Sequence, residues 1–160
     1  MNKIGIIGIG NPLRKDDGVG IILLEKLIEN KKKLPKNIEY IDGGTSGMSL
    51  LHQFALFDVV FVIDAVDFNG TPGELKLLKP EDIVNRKYNL SISTHDIDFL
   101  KIVELSKKLK EKPEIFIFGI QPRDTNFGKG LSAELQQKIN SILNSLISEL
   151  KTTLKRISKD

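Results

Sequence analysis

The sequence predicts an α/β domain. It is a three-layer sandwich with a mostly parallel, twisted sheet, an antiparallel edge strand and helices on both faces. Three observations predict it. Short apolar runs of strand length recur along the chain, as in "KIGIIGI", "DVVFVIDAV" and "EIFIFGI". Segments with apolar residues at helical spacing lie between those runs. One run, "GELKLLK", alternates as an edge strand does. Strands that alternate with helices give a mostly parallel sheet, because each crossover helix packs back onto it.

Taken in order, Lys3–Ile9 is a buried strand rich in isoleucine. The loop "GIGNPLRKDDGVG" (Gly8–Gly20) leads into a helix with Ile21, Leu24, Leu27 and Ile28 at helical spacing. Lys31–Lys33 suit its last turn, and Pro35 closes it. Asn37–Asp42 reads as a second strand, broken by "GGTSG". Ser46–Phe57 forms a short helix. Asp58–Val66 is apolar on both faces and belongs at the centre of the sheet. Asn69–Lys79 reads as a turn and an edge strand, and "PEDI" as a single helical turn. Ser93–Lys110 opens on a hydroxyl cap and carries Ile97, Leu100, Val103 and Leu105. Glu114–Ile120 is another buried strand, followed by the loop "QPRDTNFGKGLS". The last helix begins near Ser132, with Glu134 in its first turn and a stripe of Leu135, Ile139, Ile142, Leu146 and Leu150. Lys151–Asp160 is a charged tail without a motif. No repeat or linker divides the 160 residues, so 1–160 reads as one domain.

Composition excludes several classes. The net charge is +3, and the basic runs "NKKKLPK" and "SKKLKEK" read as solvated helix ends. No nucleic-acid partner is expected. There is no cysteine, so disulfides, thiolate metal sites and thiol nucleophiles are absent, as suits a reducing compartment. No signal peptide and no membrane-length apolar run are present. The expectation is a cytoplasmic protein without a membrane partner.

In such a sheet, ligands bind outside the carboxyl ends of the strands. Asp16 and Asp17 follow the first strand, Asp64 ends the central one, and His95 opens a helix. A dinucleotide site does not fit. Leu13 stands where G-x-G-x-x-G needs its third glycine, and two aspartates repel a pyrophosphate from the helix start. Simpler uses exist for each residue. Asp16 can be the helix N-cap, worth about 0.5–2 kcal/mol, with Asp17 in the first turn. Asp64 can bond a neighbouring loop, and His95 can be a satisfied boundary residue. His52 lies in an apolar helix away from this rim. Gly18 and Gly20 suit two uses, close approach of a peptide or tight helix–strand packing, with packing the preferred expectation. Yet two carboxylates and an imidazole from three segments at one rim also make a ligand set for a divalent metal with open positions.

Five stretches in order resemble the hydrogenase maturation protease family: "GIGNPLRKDDGVG", "IDGGTSGMSLL", "VVFVIDAVD" with "PGELKLL" behind it, "STHDIDF" and "IFGIQP". The match runs from Lys3 to about Pro122. The resemblance implies an aspartic-type endopeptidase that removes the C-terminal extension of the nickel-iron hydrogenase large-subunit precursor. It implies that Asp17, Asp64 and His95 are the metal-binding and catalytic trio, with Asp17 where the family has Glu or Asp. The nickel is expected to arrive in the substrate, held by the client's cysteine thiolates; zinc or cadmium would enter the same site. Asp42, Gly43 and Gly44 match the family's "DGG", whose glycines would let backbone approach an extended peptide. Asp16 is the nearest candidate base, with Asp67 behind it. The protein is expected to be a monomer. Three alternatives stay open: a metallohydrolase with its own zinc, a peptidyl-tRNA hydrolase-like enzyme sharing the "GNP" turn, and a non-catalytic nickel chaperone.

Overall fold

The computed structural model describes residues 2–45, 49–90, 99–108 and 113–160. Along them run β1 (Ile4–Ile9), α1 (Val19–Glu29), β2 (Ile38–Gly44), α2 (Ser49–Phe54), β3 (Val59–Asp67), β4 (Leu75–Leu78), α3 (Pro80–Arg86), β5 (Asn89–Leu90), α4 (Phe99–Ser106), β6 (Glu114–Ile120) and α5 (Ala133–Ile157). The sheet order is β2-β1-β3-β6-β4. The first four strands are parallel, and β4 is antiparallel on the edge beside β6. The short β5 adds antiparallel to the end of β3, pairing Val66 with Leu90 and Asp67 with Asn89.

The two-faced apolar character of β3 explains its place. Successive side chains of a strand point to opposite faces. Val59, Phe61, Ile63 and Ala65 join a core with Leu23, Leu24 and Leu27 of α1 and the stripe of α5. Val60, Val62 and Val66 join a second core with Leu50 and Phe54 of α2, Ile83 of α3, and Ile102 and Val103 of α4. Phe61 stacks on Phe116 and Phe118 of the adjacent strand, with ring centroids 5.3 and 5.7 Å apart. Such pairs add about 0.5–1.5 kcal/mol beyond area burial. A central strand with helices on both faces is the predicted three-layer architecture.

Several boundaries differ from the expectation. β2 does not break at "GG": it runs through Gly43 and Gly44, with a register shift opposite Gly8 and Ile9. α1 ends at Glu29, and a separate 3-10 turn, Lys31–Lys33, precedes Pro35. α3 is longer than one turn, helped by Asp82, whose carboxylate accepts the Lys79 N–H at 2.8 Å. Lys151–Asp160 is not a tail: α5 continues to Ile157, with Thr153 and Leu154 buried. Leu154 follows Leu146 and Leu150 at the same four-residue spacing, so the apolar face continues beneath the lysines. The hydroxyl cap expected at Ser93 lies outside the described residues. Among the described residues, no helix is long and apolar enough to cross a membrane.

Candidate functional site

The site is set by how closely α1 approaches the strand ends. A side chain on Gly20 would collide with the carbonyl oxygens of Ile63 and Ile9. Only glycine lets α1 begin directly on the carboxyl ends of β1 and β3. Gly18 is likewise pressed on Pro12, where a Cβ would come within 2.6 Å of Cα. Both glycines therefore serve packing.

That close approach carries two acids to one rim. Asp17 stands three residues before Gly20, in the 3-10 turn Lys15–Gly18. Asp64 immediately follows Ile63 in β3, in register with Gly119 of β6. The turn packs against β3. Asp17 is 3% exposed and Asp64 0%. The Asn11 N–H donates to Asp17 Oδ2 at 2.9 Å, so the first loop orients its own carboxylate. β3 continues three residues past Asp64, which is therefore inside the strand rather than at its end.

Asp16 has a different use from its neighbour. Its Oδ2 accepts the N–H groups of Arg123 (2.9 Å) and Asp124 (3.0 Å), and its Oδ1 that of Ser132 (2.7 Å). Asp16 N–H donates in turn to the Asp124 carbonyl at 3.0 Å. It is not the N-cap of α1; that position is Gly18, without a side-chain bond. The intervening 3-10 turn swings Asp16 toward the loop before α5. Its carboxylate joins two distant loops.

The remaining candidates fall as follows. Asp67 is exposed at the end of β3; its Oδ1 accepts from Gln121 Nε2 (3.1 Å) and the Asn69 N–H (3.0 Å). Asp42 is exposed, with Oδ1 accepting the Gly44 N–H at 2.9 Å. Gly43 faces inward: a Cβ there would press on methyl groups of Ile9 and Ile7 at 2.8 and 2.9 Å. Packing thus accounts for that glycine. The Gly44 carbonyl accepts the Gly10 N–H at 2.9 Å, tying β2 to the first loop. His52 is exposed on α2. His95 lies outside the described residues. Among the described residues, no group of three or more His, Cys, Asp or Glu side chains could hold a metal ion. Of the expected trio, the described structure brings together the segments bearing Asp17 and Asp64.

Two features escaped the sequence reading. Gln121 is 6% exposed, and its Oε1 accepts the N–H groups of Phe68 (2.9 Å) and Gly70 (3.0 Å). It fixes the turn after β3. The signal was present, because Gln121 directly follows the apolar run of β6, as Asp64 follows that of β3. The second is the clasp between residues 13–16 and 123–132. Lys15 Nζ lies 2.7 Å from Asp124 Oδ2. The Lys15 ammonium, and then the Asn126 backbone N–H, hold the Asp124 carboxyl below its ordinary pKa. No local pattern announces this long-range pairing.

Comparison with known proteins agrees with the architecture. The family model for hydrogenase maturation proteases matches residues 22–149. A Methanocaldococcus jannaschii protein named for the same activity is 31% identical over 153 residues, 91% of this chain and 95% of its own. The hydrogenase 2 maturation protease of Escherichia coli is 28% identical over 151 residues, 93% of this chain and 91% of its own. In fold, the hydrogenase maturating endopeptidase HybD of Escherichia coli superposes with a TM-score of 0.73 at 24% identity, covering 94% of this chain and 93% of that one. The [NiFe] hydrogenase maturation protease HycI of Thermococcus kodakarensis gives 0.73 at 23%, covering 94% of each chain. The chain therefore belongs to the hydrogenase maturation protease family and is a peptidase of hydrogenase maturation.

Proposed function

We propose that this peptidase removes the C-terminal extension of a nickel-loaded nickel-iron hydrogenase large-subunit precursor, and that it recognises the client's nickel through Asp17, Asp64 and His95. The observation that carries this reading is the burial of two carboxylates on elements that pack directly against each other. Both acids are shielded from water, and the Asn11 N–H already orients Asp17. Carboxylate oxygens with one imidazole nitrogen suit a divalent ion delivered there. The absence of cysteine supports the same reading, since the protease has no thiolate with which to take the metal from its client.

On this reading the enzyme is of the aspartic type and acts as a cytoplasmic monomer. Its own residues hold the client in register while the peptide bond is cut. Asn11 keeps Asp17 in place, and the Gly20 contact keeps the two acids on one rim. The test is cleavage of a large-subunit precursor with and without nickel, read by mass analysis of the product's C-terminus. Cleavage of the nickel-loaded form alone is expected. Equal cleavage of both forms removes nickel recognition, and stoichiometric zinc that survives dialysis assigns the site to a resident metal.

A further inference from the structure

Two large apolar side chains stand in solvent beside the rim. Leu13 is 59% exposed and Phe127 79%. They are carried by two loops that are fastened to each other. The Lys15 N–H donates to the Gly128 carbonyl (3.0 Å), and the Gly128 N–H to the Leu13 carbonyl (2.9 Å). Arg14 Nε donates to the Thr125 carbonyl at 3.1 Å. The Arg14 guanidinium also sits 5.1 Å from the centroid of the Phe127 ring, a cation–π distance. Below, Asp16 joins the same loops through three N–H groups.

Other exposed large apolar residues, such as Ile28, Leu56, Val84 and Leu105, are scattered over separate elements. Leu13 and Phe127 instead share one braced platform. Holding an apolar pair rigidly in water lowers the ordering cost of binding a partner there. The platform carries Arg14, Lys15, Arg123 and Lys129 against Asp16, Asp124 and Glu134, four positive charges to three negative; Lys15 is paired with Asp124 and Arg123 with Glu134, and Arg14 and Lys129 supply the positive excess. Leu13 lies four residues before Asp17, so the platform is continuous with the candidate site.

We propose that Leu13 and Phe127 form the docking patch for the client's peptide chain beside its cleavage point, a segment with an apolar side chain flanked by a carboxylate. The proposal rests on the endopeptidase reading above. The platform binds and orients; it does not take part in bond cleavage.

The test uses the full chain and a nickel-loaded large-subunit precursor. Processing kinetics are compared for the wild type, Leu13→Ser, Phe127→Ser and Phe127→Leu. Binding of the same precursor is measured on an Asp64→Asn background. Each serine variant is expected to raise KM about tenfold, with kcat within about twofold, while Phe127→Leu stays within about threefold of wild type. The dissociation constant on the Asp64→Asn background rises by the same factor, and thermal midpoints shift little, since both side chains are exposed and only the Arg14 contact of Phe127 is lost. KM also rises several-fold with salt; a salt-independent KM overturns the carboxylate part. Unchanged KM and binding, or a loss confined to kcat, overturn the patch. Loss of self-association with unchanged KM assigns the patch to a dimer face and overturns it too. If the wild type binds without cutting and Phe127→Ser still weakens binding tenfold, the patch stands and the endopeptidase reading falls. If the wild type binds no precursor and cuts none, both fall.

Discussion

Replacing Asp16 by alanine leaves the N–H groups of Arg123, Asp124 and Ser132 without their carboxylate acceptor. Hydrogen bonds to a charged group are the stronger kind, and unmet buried donors carry a desolvation cost. Asp16→Ala is therefore expected to destabilise the fold by about 3–5 kcal/mol in urea unfolding; a loss under about 1 kcal/mol contradicts the anchoring role. Its neighbour gives the opposite outcome. Asp17→Asn keeps an oxygen for the Asn11 N–H, so the fold should survive while processing of nickel-loaded precursor is lost. Retained processing with Asp17→Asn removes that residue from the site. The sequence shows both aspartates at the right rim, because the rule applied was position after an apolar run. It does not show which faces which way. That choice is made by a 3-10 turn and by a loop more than a hundred residues distant. Gln121 stands in the same position after β6 as Asp64 does in β3, but a neutral amide carries no signal of a long-range role.

Elements were most legible where one physical pattern covers the whole segment. β1, β3 and β6 are continuous apolar runs, and only burial on both faces explains such runs. The end of α5 was hidden because its last turns are mostly polar and the buried face is reduced to Thr153 and Leu154. Leu154→Ala should cost about 2 kcal/mol in urea unfolding, as a core truncation does and a tail substitution does not. The α1–strand contact is sharper. Gly20→Ala places a methyl against two backbone carbonyls, which cannot rotate away. A loss of about 2 kcal/mol or more is expected, together with impaired processing, since the same contact sets the rim. The clasp adds a dependence on acid. A carboxyl whose folded pKa lies below its unfolded value stabilises fully above the unfolded value, and that contribution fades as pH falls through the folded one. For Asp124 the loss falls below about pH 4. The difference in melting temperature between wild type and Asp124→Asn should therefore shrink on acidification from about pH 6 to about pH 3. A constant difference contradicts the clasp.

At the scale of the molecule, the sheet order β2-β1-β3-β6-β4 makes the strand ends of β1 and β3 neighbours. The Gly20 contact then places a helix start between them. The family and the fold agree with this arrangement, and the function depends on what it gathers at one edge. On the proposed reading, the two buried acids on adjoining elements receive the cation that the client brings. The decisive measurement is mass analysis of a large-subunit precursor after incubation with the full chain, once loaded with nickel and once metal-free. The account predicts a single C-terminal cut in the loaded precursor and an intact metal-free one. A cut of equal extent in both would contradict it.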